Sequence, residues 1–130
     1  MPCTSDQLRL FRSLFRGRDD VFARYWESKA GKSGYSPAKF HTGTYAPLTD
    51  EIIQSHLSGD AFIGIYPLLK DNTTWFLAVD FDGEQWFSEA GLLIAVARRH
   101  NIECALERSK SGNGGHVWLF FERPIAGWNR

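Results

Sequence analysis

Residues 74–82, TWFLAVDFD, contain the pattern that decides the fold, because side chains of opposite character alternate towards the end of this run. Successive side chains of a β-strand point to opposite faces of the sheet. The alternation separates an apolar set from a set that contains two acids: Leu77, Val79 and Phe81 against Ala78, Asp80 and Asp82. Gly83 follows and permits a tight exit. This stretch predicts a strand with one buried face and one face that bears carboxylates.

Two later runs show the same alternation, IECALE at residues 102–107 and HVWLFFE at residues 116–122. Each has a wholly apolar face, made by Ile102, Cys104 and Leu106 in the first run and by Val117, Leu119 and Phe121 in the second. The opposite faces hold Glu103, Ala105 and Glu107, and His116, Trp118, Phe120 and Glu122. Residues 88–100 have helical spacing, with Leu92, Leu93, Ala95 and Val96 clustered, and we expect this helix to cover the apolar faces.

The N-terminal part, residues 1–59, is predicted to form a small α/β unit that precedes a sheet in residues 60–130, within a single domain. Its predicted elements are a helix capped by Ser5 and ended by Gly17, a strand at 21–26, a loop at 27–47 and a helix that is capped by Thr49 and runs to Gly59. We expect residues 61–69, AFIGIYPLL, to pair with residues 74–82 as an antiparallel hairpin across an Asp71-Asn72 turn. The whole pattern predicts an α+β fold with a mostly antiparallel sheet.

The stretch ERSKSGNGGHVW, residues 107–118, contains a loop longer than a hairpin turn requires. Its N–H groups and hydroxyls can bind an anion, and its two basic residues add positive charge. The glycines would let a triphosphate approach the backbone closely, and the histidine would face the same surface as the two aspartates. The alternative is a flexible hairpin with a surface histidine. The candidate nucleotide-binding residues are Arg108, Ser109, Lys110, Ser111, Gly112, Asn113, Gly114, Gly115 and His116.

Asp80 and Asp82 are the candidate metal ligands. Two carboxylates this close repel each other unless a cation lies between them, and Mg²⁺ and Mn²⁺ prefer oxygen ligands. The alternative is a strand end whose acids face water or cap the next segment. Glu107 is predicted on the same face and is a further candidate to approach the metal; its alternative is a salt bridge to Arg108 or Lys110. A metal pair beside a triphosphate site indicates nucleotidyl transfer, with pyrophosphate as the leaving group.

The net charge is zero, yet residues 9–39 contain eight Arg or Lys against three acids. This excess predicts contact with a nucleic-acid template, and the alternative is an ordinary solvated surface. Tyr25, Trp26 and Tyr35 are candidates for stacking with unpaired bases.

The spacing of the cysteines and histidines gives neither a disulfide framework nor a zinc site. Because no apolar run is long enough to cross a bilayer, we expect a cytoplasmic protein with no membrane contact.

The ordered motifs resemble the archaeo-eukaryotic primase domain of TOTE conflict systems. The similarity lies in FIGIYPLL, WFLAVDFDGEQW and ALERSKSGNGGHVWLFF, preceded by LFRGRDDVFARYWESKAGKSGYSP and PLTDEIIQSHLSG. It implies an RRM-like sheet with helices on one face, behind an N-terminal α/β unit. It also implies that Asp80 and Asp82 are the family's metal-binding DxD, that Gly114, Gly115 and His116 are its small-x-His motif, and that Asp80, Asp82 and His116 are catalytic with Mg²⁺ or Mn²⁺.

The loop before the histidine resembles the phosphate-binding loop of the polymerase domains of bacterial end-joining ligases, which makes Ser111 and Asn113 candidate phosphate contacts. The family takes a third catalytic carboxylate from a later motif, and no such motif follows PIAGWNR in this sequence. Residues 1–130 are therefore expected to be either a single primase-like domain or the front part of one. Many relatives also have a cysteine cluster where residues 36–48 contain none. We therefore expect no zinc knuckle.

The resemblance implies a primase-polymerase that makes nucleic-acid strands from nucleoside triphosphates on a single-stranded DNA or RNA template, with fused or associated helicase or nuclease modules as further partners. A non-catalytic nucleotide or nucleic-acid binding module is the alternative, and the missing third carboxylate favours it. A metal-dependent nuclease is the third possibility. The phosphate loop argues against a nuclease, because hydrolysis of a phosphodiester has no leaving triphosphate to hold.

Overall fold

The computed structural model describes residues 2–127. Within that range the elements are α1 (Ser5–Leu14), β1 (Ala23–Glu27), β2 (Ser33–Pro37), α2 (Asp50–Leu57), β3 (Ile63–Gly64), β4 (Thr73–Asp82), α3 (Trp86–Arg99), β5 (Glu103–Arg108) and β6 (Gly114–Ala126). The strands form two antiparallel sheets of three strands, in the orders β2-β1-β3 and β4-β6-β5. The predicted α+β class is confirmed.

The second sheet has the two faces that the alternation predicts. Leu77, Val79 and Phe81 of β4 pack into one apolar cluster with residues of β5, β6 and α3. The helix contributes Ala90, Leu93, Ile94 and Ala97 to that cluster. On the opposite face, the open face, the carboxylates of Asp80 and Asp82 are exposed, whereas the Phe76 ring is buried.

The prediction of which residues of α3 face the core is partly wrong. Leu92 and Val96 are 69% and 48% exposed, whereas Ala90 and Ala97 are buried. The two small alanines let the helix approach the sheet closely, and the helical period then turns Leu92 and Val96 to the outside. Leu106, predicted on the covered face, is 39% exposed on the edge strand β5.

The first sheet packs with α1 and α2 around a separate core of Phe22, Ala38, Ala46, Leu48 and Ile53. Helix α1 is capped by Thr4 rather than Ser5. The Thr4 hydroxyl accepts from the Gln7 backbone N–H at 3.1 Å, and the Gln7 side chain accepts from the Thr4 N–H at 2.9 Å. The predicted cap of α2 is confirmed, because the Thr49 hydroxyl accepts from the Ile52 N–H.

The hairpin predicted between residues 61–69 and 74–82 is wrong. Only Ile63–Gly64 of the first run forms a strand, and it pairs with β1. Strand β4 pairs instead with β6. A turn does occur at Asn72, which has a positive φ of 64°. It connects the two sheets rather than two strands of one hairpin.

The segment 27–47, predicted as a loop, contains β2, in which Tyr35 lies opposite Tyr25 of β1. A glycine and a terminal proline obscure the alternation of β2, which is an edge strand where proline is tolerated. The two halves of the chain meet at Phe15, whose ring lies 5.1 Å from Trp118 and 5.5 Å from Phe76, between ring centroids. Phe15 therefore joins the first unit to the open face of the second sheet.

Asp20 connects the start of β1 to the segment before β4. Its carboxylate accepts from Arg18 Nη2 at 2.7 Å and forms an ion pair with Lys70 at 3.3 Å. The Arg18 guanidinium, with help from Lys70, holds the pKa of this carboxyl well below its usual range.

Over residues 2–127, none of the helices has the length and apolar character needed to cross a membrane.

Candidate functional site

Three side chains form a row across the open face of the second sheet. Asp80 of β4 lies opposite His116 of β6, which in turn lies opposite Glu107 of β5. His116 Nδ1 is 2.8 Å from Glu107 Oε1, and His116 Nε2 is 3.4 Å from Asp80 Oδ1. The strand pairing therefore places an imidazole between two carboxylates, on the face that sequence alternation predicted.

Asp82 lies two residues beyond Asp80 on the same face, opposite Gly114 at the start of β6. Both aspartates are exposed, and the Asp82 side chain has no ion pair within residues 2–127. The same part of the chain contains no cluster of three or more His, Cys, Asp or Glu arranged to hold a metal. Mg²⁺ often uses only one or two protein carboxylates and takes its other ligands from water and phosphate. Asp80 and Asp82 fit that kind of open site and not a closed cage.

The loop between β5 and β6 has a defined conformation. Ser109 N–H donates to Gly114 O, Gly112 N–H donates to Ser109 O, and Asn113 N–H donates to the Ser111 hydroxyl. Gly112 has a φ of 81°, which favours glycine. The N–H groups of Lys110 and Ser111 donate to no acceptor within residues 2–127. Successive free backbone N–H groups of this kind can bind an anion.

Gly114 and Gly115 belong to β6 and are buried, so the loop proper is shorter than predicted. A Cβ on Gly114 would lie 2.5 Å from Phe81 O, and one on Gly115 would lie 2.6 Å from the Trp86 ring and 2.9 Å from Glu107 O. The structure thus gives these two glycines a packing reason that the sequence did not reveal.

Arg108, which ends β5, and Lys110, in the loop, point in different directions. The Arg108 guanidinium lies 5.6 Å from the ring centroid of Trp86, the first residue of α3, on the covered side of the sheet. Lys110 Nζ lies 4.4 Å from the ring centroid of Phe62 and 4.8 Å from that of Tyr25. Lys110 therefore reaches the first unit across the open face. In the described part of the chain neither of them pairs with Glu107, whose polar contact is with His116.

A cavity of about 520 Å³ lies between the two units. Its lining comes from both, and includes Phe15, Tyr35, His56, Ile65, Glu107, His116 and Trp118.

The aromatic residues predicted to stack with bases lie on two different surfaces. Tyr35 lines the cavity, and Tyr25 contacts it at 5.4 Å between ring centroids. Trp26 lies on the opposite face of β1, where its Nε1–H donates to the Ser36 hydroxyl.

Sequence reasoning missed Phe62 and Phe15 as parts of this region. Phe62 contacts Tyr25 and Lys110, and Phe15 lines the cavity. Isolated aromatic residues in apolar runs are most often core residues, so neither gave a signal for a site.

Most arginines of residues 9–39, the segment with excess positive charge, already have partners. Arg12 pairs with Asp50 at 2.7 Å, Arg18 pairs with Asp20, and Arg16 lies over the Trp75 ring. In contrast, Lys29 and Lys32, in the turn between β1 and β2, have no ion pair within residues 2–127. Arg24 and Lys39 lie over the rings of Phe22 and Tyr45. Within the described part of the chain, Lys29 and Lys32 are therefore the cations of residues 9–39 with neither an ion pair nor a ring contact, and they are the candidates to contact a nucleic-acid phosphate.

The family model of the TOTE conflict system archaeo-eukaryotic primase domain matches residues 6–129. The chain therefore belongs to this family, and the resemblance stated from its motifs is confirmed. A comparison with curated proteins found no match.

Proposed function

We propose that this archaeo-eukaryotic primase domain is a primase-polymerase, which binds a nucleoside triphosphate with Mg²⁺ or Mn²⁺ at the open face of its second sheet and extends or starts strands on a single-stranded template. The observation that supports this best is a shared sheet edge. Asp82 ends β4 directly opposite Gly114, the residue that follows the candidate phosphate-binding loop. Candidate metal ligands and a candidate phosphate site therefore adjoin.

The proposed roles follow from position. Asp80 and Asp82 would hold the metal, which when bound supplies positive charge to stabilise the phosphate oxygens during transfer. The free N–H groups of Lys110 and Ser111 would bind the triphosphate. His116 Nε2, which faces Asp80, would donate a hydrogen bond to the same phosphates. Each of these contacts is electrostatic and positional, as phosphoryl-group chemistry requires.

The chain order of the second sheet supports an RRM-like core. Strands β4 and β5 are joined through α3, and β6 lies between them in the sheet. This is a split βαβ arrangement with an added strand. We infer that this unit and the N-terminal unit act as one domain, with the template in the cavity between them. Tyr25 and Tyr35 would stack with its bases there, and Lys29 and Lys32 would contact its phosphates.

A non-catalytic nucleotide-binding module is the second candidate, and one observation favours it. Within residues 2–127 the two aspartates have no third carboxylate arranged with them to hold a metal. Binding of a metal-nucleotide complex needs fewer ligands than its turnover. A nuclease is favoured by no feature beyond the two aspartates.

The test is a template-directed synthesis assay. The chain would be incubated with a single-stranded DNA template, labelled nucleoside triphosphates and Mn²⁺, with nucleotide binding measured in parallel by calorimetry. Synthesis by the wild type that is lost in the Asp80→Asn/Asp82→Asn variant supports the polymerase. Metal-dependent nucleotide binding without product supports the non-catalytic module. Absence of nucleotide binding would contradict both.

A further inference from the structure

Glu107 is an acid at the site without a role in the proposed metal or phosphate contacts. We propose that it is a positioning residue, which holds the His116 imidazole in one orientation so that Nε2 faces Asp80 and the phosphate site. The inference rests on the proposed function, because it assigns His116 Nε2 to a ligand. It replaces the metal-ligand role that the sequence suggested for Glu107.

The hydrogen bond to Glu107 fixes the orientation of the His116 ring. The distance of 2.8 Å between His116 Nδ1 and Glu107 Oε1 is in the range of a charge-assisted bond. An ionised carboxylate can only accept, so Nδ1 carries the hydrogen in this contact. Rotation of an imidazole about its Cβ–Cγ bond is broad and roughly two-fold, so an unpartnered ring would also adopt the flipped orientation, in which Cδ2 replaces Nδ1 and Cε1 replaces Nε2. The bond to Glu107 selects the orientation in which Nε2 lies 3.4 Å from Asp80 Oδ1.

The backbone fixes Glu107 before any ligand binds. Glu107 and His116 are a direct cross-strand pair, and the next pair is Arg108 with Gly115. A Cβ on Gly115 would lie 2.9 Å from Glu107 O, so the two strands approach closely here. Residues on paired strands hold a site more precisely than residues on loops. The carboxylate is therefore placed by the sheet and not by the adjacent loop.

Within the described residues, neither of the basic residues near Glu107 in the chain pairs with it. Arg108 lies over Trp86, and Lys110 lies over Phe62 and Tyr25. Both basic neighbours in the chain are thus directed elsewhere. Among residues 2–127 His116 is the ion-pair partner of the Glu107 carboxylate.

The test is a double-mutant cycle read by calorimetry, with ATP and Mn²⁺ as the probe. Loss of an outer-shell partner typically weakens binding by about tenfold or more. We expect Glu107→Ala to weaken ATP binding by about tenfold in the wild-type background and by less than about twofold in the His116→Ala background. Glu103→Ala is the matched control, because it removes the same charge from the same face of β5. It should leave ATP affinity unchanged.

Two results would overturn the inference while leaving the proposed function intact. The first is an unchanged ATP affinity in Glu107→Ala. The second is the same tenfold loss of ATP affinity in the His116→Ala background, which would make Glu107 a direct contact of ligand or metal. If the wild type does not bind ATP, the proposed function fails and the inference fails with it.

A nucleotide-free measurement keeps the inference testable should the alanine variant be unstable. In ¹⁵N NMR, a protected Nδ1–H signal of His116 should be present in the wild type and in Glu107→Gln, whose side-chain oxygen still accepts. Glu107→Gln should also retain most of the ATP affinity. A glutamine variant as weak as the alanine variant, or a wild type that lacks the Nδ1–H signal, would contradict the positioning role.

Discussion

Asp82 and Gly114 lie directly opposite each other on β4 and β6, so closely that a Cβ on Gly114 would be 2.8 Å from Asp82 Oδ1. The second aspartate of the DxD and the first residue of the small-x-His motif are therefore one cross-strand pair. Two motifs more than thirty residues apart in the chain form a single edge of the site.

The aspartates should bind the metal. Asp80→Asn combined with Asp82→Asn removes both negative charges from one face, and we expect Mn²⁺ affinity to fall by about tenfold or more, since bonds to charged groups are each worth about 1.5–3 kcal/mol. Titration calorimetry measures this. Asp60→Asn is the control, because Asp60 is an exposed acid outside the site. Unchanged Mn²⁺ affinity in the double variant would contradict the assignment.

The loop and His116 should recognise phosphate. His116→Ala and Ser111→Ala should each weaken the binding of a nucleoside triphosphate by about tenfold or more while changing nucleoside binding little, because the contacts are to the phosphates. Competition binding with the two ligands measures the difference. Ser88→Ala, an exposed serine on α3, is the control. Equal losses for both ligands would show that these residues read the base or sugar.

The start of β6 should not tolerate a side chain. A Cβ at Gly115 would lie 2.6 Å from the Trp86 ring and 2.9 Å from Glu107 O. Gly115→Ala should therefore lower the free energy of unfolding by about 1–3 kcal/mol, the usual cost of overpacking. Gly91→Ala is the matched control, because a Cβ there meets nothing within 4 Å and lies inside helix α3.

Helix propensity predicts that Gly91→Ala is stabilising by up to about 1 kcal/mol. Urea denaturation measures both variants. A Gly115→Ala protein as stable as the wild type would show that the β6 glycines are not required for packing.

Template binding should depend on the lysines between β1 and β2. Lys29→Ala with Lys32→Ala should weaken single-strand binding, and should reduce the slope of log affinity against log salt by about 1 to 1.5, because each phosphate contact contributes roughly 0.7. Anisotropy titrations at several salt concentrations measure the slope. Arg98→Ala with Arg99→Ala removes the same charge from the end of α3, on the other side of the sheet. An equal effect of the two double variants would assign the binding to net charge alone.

Asp20 should make stability depend on pH. Its pKa is lowered in the folded chain, first by the hydrogen bond from Arg18 and then by Lys70. A lowered folded pKa means that the ion pair stabilises above the ordinary carboxyl value of about 3.9 and is lost as the pH falls below it. The melting temperature of Asp20→Asn should therefore lie below that of the wild type at pH 7, and the difference should shrink below about pH 4.

Asp60→Asn should show no such convergence, because Asp60 has no ion pair within residues 2–127. A wild-type advantage that persists unchanged to low pH would contradict the role of Asp20.

Much of the site was predictable because strand alternation is a local property. The period of two assigned Asp80, Asp82, His116 and Glu107 to one face, and it assigned the apolar residues of β4 to the other. The cap of α2 at Thr49 was predictable for a similar reason, since the bond closes within three residues. Ordered motifs also sufficed to recognise the family, which the match over residues 6–129 confirms.

The sequence by itself determined which residues share a face, because that depends only on the backbone period of each strand. The tertiary structure decided which strands pair, and it joined β4 to β6 where proximity in the chain favoured residues 61–69. It also directed Arg108 to Trp86 and Lys110 to Phe62, although the two are separated by one residue. Finally, the tertiary structure placed the Glu107 carboxylate within hydrogen-bonding distance of His116. Pairing and side-chain direction depend on contacts between distant parts of the chain, and a local period contains no information about them.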